Sequence, residues 1–315
     1  MTTLLTVKPT PRVSVIMPCY NHGKYIADSI QSIREQTHTH LELIVIDDCS
    51  DDNSREIVRD ISFYDHRIKL IFNSSNMGVS ATRNIGLENA SGTYVAFCDA
   101  DDIWINNKLE RQLQALSKSQ DNKVVHCDSI IIDKTGDATG EIFSSKHLAK
   151  STPYGNIFFE LCERNFINAS SILFHVDAIT NDNRFNESFS YFEDWLFWIK
   201  LSETNIFTYL HEQLVKVRVH DTNTNIDING YAGFKVKAYN EILFKYPNLP
   251  DRLKSKLHYD MGYNYMILGN CKEAIASYLN SCKLNPFNVK SIFRYLLAII
   301  FRYSSLCSAY LDDNL

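Results

Sequence analysis

Apolar positions along the chain alternate between two periods. Short apolar runs of strand length occupy residues 13–17, 43–46, 68–72 and 94–97, and the stretches between them repeat their apolar residues every three or four positions. Ile26, Ile30 and Ile33 fall on one helical face, as do Leu109, Leu113 and Leu116. Asp52, Asn53 and Ser54 offer helix caps ahead of Ile57, Val58 and Ile61. Strand and helix in alternation predict an α/β domain built on a mainly parallel sheet flanked by helices. Such sheets collect ligands beyond the carboxyl ends of their strands, so the residues just after each strand are where function is expected.

From residue 124 to about 219 the pattern is less regular. Strand-like runs at 129–132, 172–174 and 214–219 and a helical segment at 193–203 read as the second half of the same domain. Residues 221–230 are rich in Asn, Asp and Thr, and predict a mobile loop and a boundary. The expected division is a catalytic domain over 1–225 and an all-helical C-terminal extension over 226–315. In that extension Gly262, Tyr265, Ala274, Tyr278 and Pro286, with small Ser281, have the spacing of one tetratricopeptide-like helix pair. One pair is too few for a free-standing array, which favours a hairpin packed on the catalytic domain over a peptide-binding solenoid. The last helical segment, 291–303, sets Leu296, Leu297, Ile299, Ile300 and Phe301 between Arg294 and Arg302, a pattern suited to peripheral contact with the inner face of a membrane.

Composition narrows the class. Apolar residues make up 45% and charged residues 22% of the 315, values of an ordinary globular protein. A net charge of −5 gives no general reason to bind nucleic acid. No run reaches the roughly 18 apolar residues of a membrane span, and the segment before Arg12 lacks a signal-peptide core, so a cytoplasmic location is expected. The eight cysteines are scattered without a CxxC pair and read as reduced thiols. The ten histidines form no zinc-type spacing.

Three polar segments follow predicted strands: Pro18, Cys19, Tyr20 and Asn21; Asp47, Asp48, Cys49 and Ser50; and Asp99, Ala100, Asp101 and Asp102. Any one acidic pair could serve only as a turn former or helix cap. Three clusters at adjacent strand ends gather carboxylates in one crevice, where their repulsion calls for a cation. Oxygen ligands suit Mg²⁺ or Mn²⁺, which complete their shells with substrate phosphates. Asp48 could alternatively accept a hydrogen bond from a base N–H, with Tyr20 as a stacking wall.

Residues 12–104 carry VSVIMPCYNHGKYIADSIQSIREQTHTHLELIVIDDCSDDNS and NMGVSATRNIGLENASGTYVAFCDADDIW, and this stretch resembles the GT-A fold glycosyltransferases of family 2. Beyond it the resemblance thins to FEDW at 192–195 and VRVHDTN at 217–223. It implies that Pro18 and Tyr20 open the nucleotide pocket, that Asp48 reads the base and that Arg83 contacts the nucleotide. Asp99 and Asp101 resemble the DxD pair, Asp99 toward ribose and metal and Asp101 on the divalent cation. Asp102 would cap the next helix or support Asp101. Asp194 resembles the catalytic base, and is equally an ordinary helix N-terminal acid. Trp195 and Trp198 beside it would disfavour its ionised form. His220 resembles a histidine that closes on the metal or diphosphate, though a lone histidine is more often structural. Cys19, Cys49 and Cys98 are expected to pack, Lys24 and Arg55 to be solvated, and His38 and His40 to lie in a loop.

The function implied is inverting transfer of a sugar from a nucleotide-diphosphate donor, a UDP-sugar by resemblance, to an acceptor hydroxyl. Acceptors in such a family are carbohydrate, lipid-linked glycan or protein. A nucleotidyltransferase is disfavoured because CYNHGKY stands where a glycine-rich phosphate loop would be, and a nicotinamide oxidoreductase because no GxGxxG follows the first strand. An inactive sugar-nucleotide-binding or adaptor relative is the other alternative, disfavoured by the intact Asp48, Asp99, Asp101 and Asp194.

Overall fold

The computed structural model describes residues 10–119, 121–143, 154–180, 183–220 and 228–303. Two compact units divide the chain. The first gathers Met1–Ile157, Phe166–Ser188 and Phe197–His220; the second gathers Phe158–Asn165, Phe189–Leu196 and Asp221–Leu315. Two short segments upstream of residue 225 thus group with the helical extension, a division that local periodicity does not encode.

The first unit opens with β1 (Val13–Cys19), α1 (Ile26–Arg34), β2 (Leu41–Asp47), α2 (Ser54–Tyr64), β3 (Ile68–Phe72), α3 (Gly78–Asn89) and β4 (Tyr94–Phe97). There follow β5 (Ile103–Trp104), α4 (Lys108–Leu116), β6 (Asn122–Ile132) and β7 (Ala138–Ile142). After α5 (Phe158–Glu163) of the second unit come β8 (Ile172–His175), α6 (Glu193–Ser202) and β9 (Ile206–Arg218). Among the described residues the nine strands form one sheet in the order β3-β2-β1-β4-β8-β6-β9-β5, with β7 beside β6. β1, β2, β3 and β4 pair in parallel, as do β6 and β9, whereas β8 is antiparallel to β4 and β6, and β5 to β9. The sheet is therefore mixed, its parallel half being the one legible as alternating strand and helix.

Every residue of β1 and β2 is buried, as strands covered on both faces must be. Ile26, Ile30 and Ile33 of α1 and Leu109 of α4 pack into the same core as Val13, Val15, Leu43 and Val45. Elsewhere in this unit Phe97, Phe174, Phe185, Phe197 and Trp198 form an aromatic cluster, with Phe185 stacked on Phe197 at a centroid distance of 4.3 Å. At the N terminus of α2 it is Asp52, not Asn53, whose carboxylate accepts the Ser54 N–H, at 2.9 Å.

The second unit contains α7 (Ile228–Lys245), α8 (Asp251–Ile267), α9 (Cys271–Leu284) and α10 (Val289–Tyr303). The polar loop expected over 221–230 lies mostly outside the described residues, and helix α7 already begins at Ile228. α8 and α9 pack against each other. A Cβ at Gly262 would come within 2.7 Å of the buried Tyr278 ring, which fixes glycine there. Ser281 bonds Ser255 and Ser291, joining three helices where only small side chains fit. On α10, Ile292, Phe293, Leu296 and Ile300 are exposed. No helix among the described residues is long and apolar enough to cross a membrane.

A buried carboxylate lies at the amino-terminal edge of the parallel strands, with Arg12 and Lys69 as its counter-charges. Glu42 of β2 is fully buried, accepting hydrogen bonds from Ser14 Oγ and from the Ser91 N–H and Oγ, with Lys69 Nζ at 2.6 Å. Burial opposes its ionisation, but Lys69 and the Ser14 and Ser91 bonds outweigh this and pull its pKa from 4.5 down to about 2. The unfolded chain therefore binds more protons, so this stabilisation is full above about pH 4.5 and is lost as pH falls toward 2. Glu42→Gln should cost about 2 kcal/mol near neutral pH, the scale of hydrogen bonds to a charged group. Urea denaturation should show the deficit narrowing near pH 3; an undiminished gap there would remove Glu42 from this role.

Candidate active site

Register decides what meets at the carboxyl edge. Cys19 of β1 is paired with Asp47 of β2, and Ile16 with Phe97 of β4, so the chain leaves all three strands at one edge. The ladder continues one step further through Asp48 N–H to Cys19 O at 2.8 Å and Cys98 N–H to Ile16 O at 3.0 Å. Pro18, Tyr20, Asp48, Asp99 and Asp101 are thereby collected from segments 80 positions apart. Because β8 is antiparallel to β4, its beginning arrives at the same edge, where Ser170 Oγ accepts the Asp99 N–H at 3.0 Å and donates to Asp102 Oδ2 at 2.6 Å.

The loop after β1 interlocks with the loop after β2. Asn21, in the left-handed region at φ 58°, donates its N–H to Ser50 Oγ and accepts the Asp51 N–H on its side-chain oxygen. Gly23 N–H reaches Asp52 Oδ2 at 2.8 Å, and a Cβ at Gly23 would sit 2.0 Å from Asn53 Oδ1. Tyr20 stands out of this frame with 46% of its surface exposed. Pro18 is buried inside β1.

Each acidic side chain at the edge has a different partner. Asp47 is paired with Arg55, which also donates to Asn73 O at 3.2 Å. Arg55 was expected in solvent, but a carboxylate only 2% exposed requires a counter-charge. Asp48 Oδ1 accepts from Asn73 Nδ2 at 2.8 Å and Met77 N–H at 2.9 Å, and Oδ2 from Gly78 N–H at 2.8 Å. It therefore holds the entry to α3, with Oδ1 accepting two hydrogen bonds and Oδ2 one. Arg83, buried in α3 beneath the rings of Phe97 and Phe185, donates to Asp99 Oδ1 at 2.8 Å. Asp102 accepts from Ser170 and from the Arg218 N–H at 3.1 Å, so it ties β5 to β9 and caps no helix. Burial, with Asp101 and Asp99 alongside, pushes Asp102 well above the usual carboxylate value.

Asp101 faces two imidazoles. His220 Nε2 lies 3.1 Å and His22 Nε2 4.0 Å from its Oδ2. Burial favours its neutral form, but the His220 hydrogen bond and the two imidazoles outweigh this and hold Asp101 below its ordinary value. One ligand atom from each of His22, Asp101 and His220 lies within 4.8 Å of the others, a set able to hold a metal ion. Asp99 is not in this set. Arg218 braces the site: its Nε donates to Asp101 O at 3.1 Å, and its guanidinium lies 4.9 Å from the centroid of the Tyr25 ring. Tyr25 in turn packs on His220 at 4.5 Å. His22, Tyr25, Ser170 and Arg218 were not singled out from the sequence. Arg218 adjoins His220 in the VRVH segment, which was a usable signal; a single histidine at position 22 was not.

Asp194 lies in the second unit, at the start of α6. Its Oδ1 accepts the Trp195 N–H at 2.6 Å and its Oδ2 accepts from Asn165 Nδ2 at 3.2 Å. Phe192, two residues earlier, is left-handed at φ 65°. The Trp195 indole donates to Leu161 O and packs on Tyr239, while Trp198 belongs to the aromatic cluster of the first unit. Of the cysteines in the motifs, Cys19 and Cys98 are buried, and burial raises the Cys19 thiol to about 11, so neither is a poised nucleophile.

Residues 14–243 match the family model described as glycosyl transferase family 2. The chain belongs to that family. It is 46% identical over 104 residues to the putative teichuronic acid biosynthesis glycosyltransferase TuaG of Bacillus subtilis, covering 33% of this chain and 41% of TuaG. It is 48% identical over 107 residues to the UDP-Glc:alpha-D-GlcNAc-diphosphoundecaprenol beta-1,3-glucosyltransferase WfgD of Escherichia coli, covering 34% of this chain and 42% of WfgD. The match spans less than half the length of either relative. Among solved structures, residues 1–349 of Staphylococcus aureus TarS superpose with a TM-score of 0.63 at 18% identity, over 93% of this chain and 91% of that one. The mannosyltransferase PcManGT of Pyrobaculum calidifontis, in complex with GDP-Man and Mn²⁺, gives 0.60 at 17% identity, over 92% and 86%. These likenesses establish the GT-A type fold with its helical C-terminal region.

The bonds of Asp48 to the entry of α3 make a prediction independent of any nucleotide. Asp48→Ala should lower stability by about 1–2 kcal/mol, the loss of a helix-capping carboxylate. Thermal melting without ligand measures it; an unchanged melting temperature would show that these bonds hold nothing.

Proposed function

We propose that this protein transfers a sugar from a nucleotide diphosphate donor to an acceptor hydroxyl with inversion at the anomeric carbon. The observation that carries the reading is the carboxyl edge itself: an exposed aromatic ring at Tyr20, an acceptor at Asp48 and a buried Asp101 set against imidazoles, in a family 2 chain. A uridine donor is favoured, since WfgD is named for UDP-Glc and TarS binds UDP. In this reading Tyr20 stacks on the base, Asp48 accepts its N–H, Pro18 shapes the floor, and Arg83 holds Asp99 toward the ribose. Asp101 and His220 would hold a divalent cation, Mn²⁺ or Mg²⁺. When bound, the cation supplies positive charge against the departing diphosphate. Asp194 takes the proton of the acceptor hydroxyl, whose oxygen attacks the anomeric carbon, and no covalent sugar intermediate forms. The acceptor class we infer is a lipid-linked or cell-surface glycan, by analogy with the names of WfgD and TuaG. The exposed apolar face of α10, with Arg294 on the same helix, suits a peripheral membrane contact.

Asp101→Asn keeps shape while removing ligand charge. Calorimetry should show UDP binding that depends on Mn²⁺ in the wild type and weakens at least about tenfold in the variant, a loss of about 1.4 kcal/mol. Equal affinity in excess chelator would sink the metal reading.

Asp194→Asn keeps an acceptor oxygen for the Trp195 N–H but cannot take a proton. Transfer should fall by about 10² to 10⁴ with UDP binding unchanged. A panel of nucleotide sugars and lipid-linked acceptors provides the assay, and near wild-type turnover would move the base elsewhere.

A further inference from the structure

The structure gives His22 a ring that the fold does not use. The backbone of His22 does the structural work: its N–H donates to Ser54 Oγ at 3.0 Å, and its carbonyl accepts the Tyr25 and Ile26 N–H groups at 2.9 Å, starting α1. Any residue but proline could make those bonds. The imidazole makes one long contact, accepting the Tyr20 N–H on Nδ1 at 3.4 Å, and otherwise presents its edge to His220 at 6.4 Å between centroids. Its Nε2 points toward the carboxylate of Asp101, and about a quarter of its side chain is open to solvent.

We propose that His22 is a direct ligand of the divalent cation, beside Asp101 and His220, and that this set makes the site prefer Mn²⁺ to Mg²⁺. The proposal rests on the reading above that the site takes a divalent cation, and adds the third protein ligand and the metal preference. Ligand atoms sharing one ion at about 2.1 Å lie about 3.0 Å apart when adjacent and about 4.2 Å apart when opposite. The 3.1 Å from Asp101 Oδ2 to His220 Nε2 and the 4.0 Å to His22 Nε2 fall within that range. An ion at this point takes the place of the proton between His220 and Asp101. On His22 the proton must move to Nδ1, giving up the Tyr20 contact, which at 3.4 Å is already at the long limit of a hydrogen bond.

The preference follows from ligand softness. Mg²⁺ favours carboxylate, carbonyl and water oxygens and demands a near-ideal octahedron, whereas imidazole nitrogen suits the later divalent ions, with Mn²⁺ accepting both. Two imidazoles with one carboxylate therefore weaken the claim of Mg²⁺. The position of His22 is also fixed in advance: its loop is pinned through Asn21, Gly23 and its own N–H to the loop after β2, so little ordering remains when an ion binds.

The test uses Mn²⁺ as the probe, with and without UDP, on the full chain. Wild type should bind Mn²⁺ with two ligand ¹⁴N couplings in pulsed electron paramagnetic resonance, and Mg²⁺ should displace it only in large excess. His22→Ala should lower Mn²⁺ affinity at least about tenfold, since even indirect partners of metal ligands are worth 10- to 100-fold. It should also lose one ¹⁴N coupling and shift the preference toward Mg²⁺. His22→Gln, which preserves volume and offers an oxygen, should lose the same coupling and shift the same way, and serves if the alanine variant fails to fold. Wild-type Mn²⁺ affinity within twofold in either folded variant, or both couplings retained, would overturn the proposal. Absence of nitrogen coupling in the wild type would overturn it too. If the couplings are present but UDP binding ignores Mn²⁺, the donor reading fails and His22 stands as a ligand.

Discussion

The parallel, in-register pairing of β2, β1 and β4 is the constraint on which the rest depends. Parallel strands end together, so the residues that follow them are delivered to one edge whatever their separation in sequence. Here that edge receives Tyr20, Asp48 and Asp101. The same pairing buries β1 and β2 on both faces, so a one-residue slip would exchange two differently packed sets of buried side chains, at the cost of overpacking on one face and voids on the other. Glu42 locks the opposite edge, linking β1, β3 and the approach to β4 through one buried carboxylate.

Gathering acids at one edge creates a repulsion that the fold settles residue by residue. Asp47 is neutralised by Arg55, Asp99 by Arg83, and Asp48 by backbone and amide N–H groups at the entry to α3. Asp102 is held by Ser170 and a backbone N–H while its proton affinity rises. Asp101 differs: its partners are two imidazoles, which exchange a proton for a metal ion more readily than a guanidinium gives up its charge. The site is thus polarised so that one carboxylate among several remains addressable by a cation.

Two later strands, β8 antiparallel to β4 and β9 parallel to β6, supply what β1, β2 and β4 lack. β8 brings Ser170 to the edge from the other direction, and β9 ends at Arg218, whose guanidinium braces the Asp101 carbonyl and lies over Tyr25. His220 follows two residues later and packs on the same ring. The acidic loop is therefore held by residues more than 65 positions downstream.

The sequence by itself determined the alternation of β1 to β4 with α1 to α3, the strand ends that carry Tyr20, Asp48, Asp99 and Asp101, and the α8–α9 pair set by Gly262 and Tyr278. These are local facts, written in side-chain period, turn residues and the spacing of small and large groups. Only the tertiary structure decided that Asp102 joins β5 to β9, that Arg55 answers Asp47, and that His22 stands across Asp101 from His220. The physical reason is that such contacts join segments whose order in the sheet comes from strand pairing, and pairing depends on which distant strand completes a ladder. A histidine at position 22 and another at position 220 have no spacing that marks them as partners; the sheet brings them to one carboxylate.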